Sequence, residues 1–222
     1  GANDVRAIPD GEAYGTTRWR IEGEKWFCSN AAADIILMTA RPQGGADGTQ
    51  GLGLFLVPRR LEDGSPNAYR LRRLKDKLGT RSMASGEIDF DGAIAYAMGE
   101  VDQGFSAVMK HVISTSRLYN TVGCAGITRR AYLVASSYAK ARRAFGVPIG
   151  SFPLVAEMMA SMRAKSQALT AGGLMLASLF DQAEAGQLDE DRLAFLRVAT
   201  NLAKLRSCQH SHRVVLTAIE TL

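Results

Sequence analysis

Residues 25–30 have the sequence Lys-Trp-Phe-Cys-Ser-Asn, in which two aromatic side chains precede a small hydroxyl group. Aromatic side chains stack on planar rings, and a serine hydroxyl donates or accepts a hydrogen bond. The segment could therefore form an aromatic wall beside a flavin ring, with Ser29 as a hydrogen-bond partner. The two aromatics could equally cover a core at the end of an edge strand, and the sequence leaves both interpretations open.

A second segment, residues 117–126, has the sequence Arg-Leu-Tyr-Asn-Thr-Val-Gly-Cys-Ala-Gly within a helical pattern. A glycine costs about 1 kcal/mol in a helix interior. We therefore expect Gly123 and Gly126 to mark a place where another element closely approaches the helix backbone.

The third segment, residues 138–146, combines Lys140, Arg142 and Arg143 with Phe145. Cations stabilise the C-terminal end of a helix through its dipole, which explains them without any binding function. Arginines can also hold a pyrophosphate, and a following aromatic side chain can stack on a ring. Both interpretations remain open for Arg142 and Phe145.

Other motifs of catalysis are absent from the sequence, which has no GxGxxG, Walker loop or GxSxG. Three widely spaced cysteines without a CxxC argue against a disulfide framework and a zinc site. They favour a reducing compartment, so we expect a cytoplasmic protein with no metal site. Apolar runs such as residues 35–38 are far shorter than the ~20 residues that span a bilayer, so no membrane span is expected.

The net charge of +5 is unevenly distributed along the chain. Residues 1–99 hold 13 Lys and Arg against 13 Asp and Glu, whereas residues 100–222 hold 14 against 9. Basic clusters in the second part could meet phosphates or nucleic acid, but a solvated helix face explains most of them.

The composition predicts a division near residue 100, because residues 1–99 hold 14 of the 22 glycines and four of the six prolines. Six or seven short strands at roughly 10-residue spacing predict an antiparallel β-sandwich or barrel. One of them alternates over residues 17–21, and we expect a hairpin corner at residues 22–24.

The second part has a helical pattern. Residues 105–141 predict one helix of about 37 residues and ~55 Å, followed by helices over 154–185 and from about 190 to the end. Short loops make such helices antiparallel neighbours, and we interpret their methionines, including Met162, as core residues. The predicted fold is α+β: a β-domain over 1–99 and an incomplete up-down helical bundle over 100–222.

Several of these strings, in this order, resemble the acyl-CoA dehydrogenase family. Residues 23–30 resemble its G-x-K-x-W-I-T-N strand, residues 77–90 its K-L-G-x-R-x-S…I-x-F pattern, and residues 142–146 its R-x-x-F-G string. Residues 1–5 look like the end of its first signature. Residues 117–130 look most similar to a branch that includes a bacterial adaptive-response protein implicated in alkylation resistance.

The resemblance implies an FAD flavoenzyme, represented here by its middle β-domain and part of its C-terminal helical domain. Phe27 stands where the family often has a tryptophan flanking the isoalloxazine, and Ser29 where a threonine hydrogen-bonds the flavin near N5. Asn3 replaces a serine that contacts the FAD phosphates.

The helical part would contribute to the FAD of a partner subunit. Arg142 and Phe145 match residues that reach the partner's pyrophosphate and adenine, and Glu220 stands where a glutamine often meets the same FAD. Arg117 matches a buried arginine near the acyl site.

The implied activity is the α,β-dehydrogenation of an acyl-CoA thioester, in which a carboxylate removes the α-proton while the β-hydride passes to flavin N5. An alternative family position for that base is Ser116 here, and a serine cannot act as a carboxylate does. We therefore expect a fragment whose catalytic base and N-terminal helical domain lie outside this chain, inactive or nearly so by itself.

Two other functions remain open: a DNA-binding, alkylation-protecting flavoprotein relative with secondary catalysis, and an assembly module that has lost its cofactor. The resemblance implies a homodimer or tetramer through the helical bundle, with acyl-CoA and an electron acceptor as partners. An incomplete bundle leaves an apolar helix face uncovered, which also predicts self-association.

Overall fold

The computed structural model describes residues 4–222, so the predicted contact of Asn3 lies outside the described residues. Two compact units divide the chain, the first ending at His111 and the second running from Val112 to Leu222.

A β-barrel forms most of the first unit. Its strands are β1 (Arg6–Ala13), β2 (Thr16–Cys28), β3 (Ile35–Pro42), β4 (Gly53–Pro58), β5 (Tyr69–Leu74) and β6 (Gly86–Ala97). Strands pair in the order β2-β1-β3-β4-β6, and β2 also pairs with β6, which closes a five-stranded barrel with β5 added beyond β6. Only the β1–β3 pairing is parallel among these strands of the described chain. The predicted α+β fold, a barrel followed by helices, is confirmed.

The prediction of a hairpin corner at residues 22–24 is wrong. The chain reverses instead at Tyr14 and Gly15, which have φ angles of 55° and 72°. Beyond Ile21 the strand β2 continues with a register shift against β6. Gly23, at φ 117°, allows this irregularity, because a Cβ there would lie 3.1 Å from the Cα of Val5.

Alternating side chains of the strands fill the barrel. Ile21, Phe55 and Ile88 are among its fully buried residues, and the Trp19 and Phe55 rings meet edge to face with centroids 5.4 Å apart. Burial of such side chains from five strands supplies the main stabilisation of this unit.

Asn67 joins β4 to β6 where their pairing ends. The two strands pair at Phe55–Ala97 and Leu56–Tyr96, and the same register would place Pro58 opposite Ile94. There the buried Asn67 side chain donates to the carbonyl oxygens of Pro58 (2.7 Å) and Ile94 (2.9 Å) and accepts from the Ile94 amide (2.8 Å). The side-chain amide of Asn67 thus supplies hydrogen bonds in place of direct backbone pairing between Pro58 and Ile94.

The helices are α1 (Gly104–Ala107), α2 (Ser114–Ala141), α3 (Pro153–Glu184) and α4 (Glu190–Thr221). The predicted helix over residues 105–141 is helical throughout, but a π-helical segment, Val108–Ile113, separates α1 from α2. Pro153 begins α3 at a position where its missing N–H has no partner to lose. Asp189 caps α4 by accepting from the Arg192 amide at 2.8 Å.

Two apolar clusters show how these helices run. Ala135, Met162 and Val214 pack together near one end of the second unit, and Leu118, Leu179 and Leu196 near the other. Therefore α3 is antiparallel to both α2 and α4, and α2 is parallel to α4. Met162 is buried, as predicted for a core methionine.

The predicted close approach at Gly123 and Gly126 is wrong. Both glycines are exposed, and an added Cβ at either would meet nothing within 4 Å. A different glycine meets α2: an added Cβ at Gly173 of α3 would lie 3.7 Å from Val122. Periodicity could not show which face of α2 meets its neighbours.

Candidate functional site

Two adjacent aromatic side chains lie exposed in a β-bulge of β2. Register with β6 shifts between Lys25 and Cys28, and Trp26 and Phe27 fall within the shift. Adjacent residues of a regular strand point to opposite faces, but a bulge can re-aim one of them. The two side chains are 69% and 60% exposed, with ring centroids 5.7 Å apart. They form an open aromatic surface.

A lysine from the neighbouring segment supports this surface. The Lys75 ammonium lies 3.8 Å from the centroid of the Trp26 ring and 5.4 Å from that of Phe27, in cation–π geometry. It also donates to the buried Glu87 carboxylate at 2.5 Å, which accepts from Arg73 at 2.9 Å. Hydrogen bonds from Arg73 and Lys75 lower the pKa of Glu87 to about 2, so this anchor is ionised at neutral pH.

Ser29 is exposed just after β2, and its backbone is fixed by the segment preceding β6. Its carbonyl accepts from the Ser85 hydroxyl at 3.3 Å, and that hydroxyl group also accepts from the Lys77 ammonium at 3.1 Å. The same ammonium donates to the carbonyls of Thr80 (2.6 Å) and Met83 (2.7 Å). Lys77 thereby stabilises the loop over residues 77–85, which in turn bonds Ser29. The lysine of the Lys-Leu-Gly-x-Arg pattern thus has a structural role.

Burial shifts the pKa values of two further side chains of the same bulge. It lowers the pKa of Lys25 and raises the pKa of the Cys28 thiol. A thiol held in its protonated form is a poor nucleophile. Cys28 is therefore suited to packing rather than to covalent catalysis.

In the second unit, a tight hairpin presents Phe145. Strands β7 (Arg143–Ala144) and β8 (Val147–Pro148) are joined by Phe145 and Gly146, whose φ angles of 52° and 85° are those of a type I′ turn. A phenylalanine at positive φ is strained, yet its side chain is 97% exposed. The edge of its ring meets Phe152, with centroids 6.4 Å apart.

Arg142 lies directly before this hairpin. Its amide donates to Tyr138 and its carbonyl accepts from Ile149, both at 2.8 Å, so the backbone is fixed while the side chain is exposed. Glu220 is exposed at the end of α4, on the same end of the second unit.

The structure brings some of the predicted site residues together and leaves one apart. Arg142, Phe145 and Glu220 share one end of the second unit. Arg117 lies half-buried in the first turn of α2, about 37 Å along that helix from Arg142 at a rise of 1.5 Å per residue. Its predicted role near an acyl site remains a prediction, as do the roles of the other residues.

Lys75 and Glu87 are not among the motif residues that the sequence points to. Their signal lies in β-pairing, because the register sets Arg73 opposite Glu87 across β5 and β6. Opposite charges on paired strands could have revealed this support, had the register been known.

Within residues 4–222, no group of three or more His, Cys, Asp or Glu side chains is placed to hold a metal ion. No helix in this part of the chain is long and apolar enough to cross a membrane.

Comparison with protein families gives two matches in tandem. Residues 3–93 match the model of the acyl-CoA dehydrogenase middle domain, and residues 102–222 match that of the acyl-CoA dehydrogenase C-terminal domain. Together they cover nearly the whole chain and divide it as the barrel and the helices do. The chain therefore belongs to the acyl-CoA dehydrogenase family, as its motifs predict.

Two individual relatives are similar to most of this chain. AidB of Escherichia coli K12 is 34% identical over 204 residues, and acyl-CoA dehydrogenase family member 11 of Caenorhabditis elegans is 33% identical over 210. These alignments cover 92% and 91% of this chain but 36% and 33% of the relatives, so the chain spans about a third of their length.

Solved structures show the same fold. The apo form of Bd2924 superposes with a TM-score of 0.90 at 31% identity, over 98% of this chain and 43% of that one. ACDH-11 of Caenorhabditis elegans, in complex with C11-CoA, superposes with a TM-score of 0.88 at 31% identity, over 100% of this chain and 37% of that one.

Proposed function

We propose that this chain forms part of a flavin-dependent acyl-CoA dehydrogenase and holds FAD between its aromatic surface and a second copy of its helical unit. The observation that carries the proposal is the pair of exposed aromatic side chains, Trp26 and Phe27, beside Ser29. Family membership supports it, because the same residues occupy the family's flavin-contacting string.

The residues present fit this cofactor. Trp26 and Phe27 offer an uncovered apolar surface to a planar ring, and the exposed Ser29 hydroxyl is free to rotate toward a ring nitrogen. Arg142 supplies a guanidinium for a diphosphate, and Phe145 a nearly fully exposed ring for an adenine. FAD, when bound, supplies the redox chemistry of the reaction.

Acyl-CoA is the proposed substrate. The structure of the Caenorhabditis elegans relative contains C11-CoA, and we propose that this chain's whole protein takes an acyl-CoA thioester too, with Arg117 supporting the acyl site. Asn3 and Glu220 are further proposed FAD contacts. An electron acceptor is required to complete each cycle.

The helical unit offers a surface for self-association. Phe195, Val198, Leu202 and Leu205 recur at spacings of three and four along α4 and are all exposed. A contiguous apolar helix face of this kind favours a partner chain. It supports a homo-oligomer formed through the helices.

The test measures FAD binding by the 222-residue chain through the quenching of flavin and tryptophan fluorescence. We expect binding that weakens at least several-fold in Phe27→Leu and in Arg142→Gln. Tyr119→Leu is the matched control, because Tyr119 is 76% exposed on α2 and belongs to no proposed contact. Absence of FAD binding, or equal binding by all three variants, would contradict the proposal.

A second candidate function is DNA binding, which one observation favours. Helix α2 contains four basic and no acidic side chains, and a groove of about 390 Å³ between α2 and α3 is lined by Arg129 and Arg163. Burial lowers the pKa of His210, and the positive charges of Arg206, Lys165 and Arg213 lower it further.

Duplex DNA binding as a function of salt concentration tests this candidate. Each arginine that contacts a phosphate should contribute about 1 to the slope of log affinity against log salt. We expect the Arg129→Gln and Arg163→Gln double variant to flatten that slope while Arg192→Gln leaves it unchanged. The absence of binding at low salt would exclude the candidate.

A further inference from the structure

Two of the three cysteines face each other across the second unit. Cys124 of α2 and Cys208 of α4 are both half-buried, and their Sγ atoms lie 3.8 Å apart. A disulfide has an S–S distance of about 2.05 Å, so the sulfur atoms need to approach by about 1.8 Å to bond. Side-chain rotation together with a small helix displacement can supply that approach, since both side chains already point at one another.

The surroundings of this pair slow its oxidation. Burial, together with the neighbouring Cys208 thiol, raises the pKa of the Cys124 thiol. Because the thiolate is the reacting form, a protonated thiol reacts slowly with oxidants, hydrogen peroxide included. Both cysteines are nevertheless only half-buried, which makes them accessible to a small oxidant such as hydrogen peroxide.

We propose that Cys124 and Cys208 form a site of reversible oxidation, at which a peroxide converts the two thiols into a disulfide that joins α2 to α4. In the first step one thiol ionises and its thiolate attacks hydrogen peroxide; the O–O bond breaks, a sulfenic acid forms, and the leaving hydroxide takes up the released proton as water. In the second step the other thiol attacks that sulfenic sulfur, the S–S bond forms and a second water leaves. Two thiols are thereby oxidised by two electrons, and one peroxide is reduced.

The consequence is a covalent loop that contains the whole of α3. The two cysteines are 84 residues apart in sequence, and the whole of α3 lies between them. A cross-link at this point stops α2 and α4 from separating and restricts the unfolded chain between them, which includes α3. A dithiol reductant would reverse the change by thiol–disulfide exchange.

The experiment treats the 222-residue chain with hydrogen peroxide and counts free thiols after denaturation. We expect the count to fall from three to one, with the loss of two hydrogen masses and a cross-linked peptide that contains Cys124 and Cys208. Dithiothreitol should restore three thiols. Cys28, half-buried in the first unit, is the internal control and should stay reduced.

Variants and thermal unfolding give an independent measurement. Cys124→Ser and Cys208→Ser should each abolish the cross-link, and Cys28→Ser should leave it intact. Far-UV circular dichroism measures the unfolding temperature of the helical unit. Oxidation should raise that temperature, and dithiothreitol should reverse the rise. The proposal is overturned if native-chain peptides show linkages through Cys28, linkages between chains, or sulfinic acid at these positions in place of the disulfide. It is also overturned if the folded chain keeps three thiols under conditions that oxidise the urea-unfolded chain.

Discussion

Replacing Asn67 tests how the barrel is closed. In Asn67→Ala the carbonyl oxygens of Pro58 and Ile94 and the amide of Ile94 lose the partners that they have in the folded chain. A buried polar group left without a partner costs about 1 to 3 kcal/mol. Taking the low end, because water can enter the space left by the amide, the loss is about 3 to 4 kcal/mol. That is a large share of the 5 to 15 kcal/mol that stabilises a typical domain.

Urea unfolding followed by tryptophan fluorescence measures this loss. Both tryptophans, Trp19 and Trp26, belong to β2, so their emission reports on the barrel. With a slope of about 2 kcal/mol per molar urea, the midpoint should fall by about 2 M. Asn201→Ala is the control, because the exposed Asn201 side chain bonds only a carbonyl of its own helix, α4, in the described contacts. A midpoint that moves no further for Asn67→Ala than for the control would refute the reasoning.

Asn67→Asp sharpens the test. An ionised carboxylate would set a second oxygen against the Pro58 and Ile94 carbonyls, where the amide now donates. Its pKa should therefore be raised in the folded chain, and stability should fall as pH rises above the pKa of an unfolded aspartate, about 3.9. We expect this variant to be less stable than Asn67→Ala at pH 7 and to recover toward pH 4. Equal stability of the two variants at both pH values would contradict the predicted repulsion between the carboxylate and the two carbonyl oxygens.

Two further predictions concern charge and glycine. Because the pKa of Glu87 is lowered to about 2 from an ordinary value of 4.5, its contribution to barrel stability is fully present above about pH 4.5 and is lost as pH falls through 2. Urea midpoints measured between pH 5 and pH 2 should show a smaller decline in Glu87→Gln than in the parent chain, and equal declines would contradict this account. Gly123→Ala and Gly126→Ala should each stabilise the helical unit by about 0.5–1 kcal/mol, since alanine favours a helix and nothing lies within 4 Å of the new methyl group. Thermal unfolding by circular dichroism measures the change, and a loss of stability in either variant would mean that the glycine serves a contact with another molecule.

Periodicity predicted the elements well but their pairing poorly. The spacing of turn residues predicted six or seven short strands where the first unit has six, and the three- and four-residue spacing located all three long helices. Alternation over residues 17–21 located the first part of β2, whereas Pro9 and Gly11 interrupt any alternation in β1. The sequence predicts a corner at residues 22–24 where the strand instead shifts register after Ile21, because a glycine at positive φ occurs in bulges as well as in turns.

The candidate site was predictable in its residue types and not in its geometry. The string containing Phe27 and Ser29 is continuous in sequence, so its aromatic and hydroxyl groups could be recognised directly. That Trp26 joins Phe27 on one surface depends on a bulge, which strand alternation does not predict. The support from Lys75 depends on the pairing of β5 with β6, a contact between residues distant in sequence.

The hairpin at Phe145 has a consequence for whatever the ring meets. Holding a phenylalanine in left-handed backbone space destabilises the folded chain by roughly 1–3 kcal/mol, and asparagine in its place would relax the turn. In return, the phenyl group stands preorganised at the tip of a two-residue loop. The backbone entropy needed to present it is lost during folding rather than during association, so a stacking ligand would gain more of its contact energy as affinity.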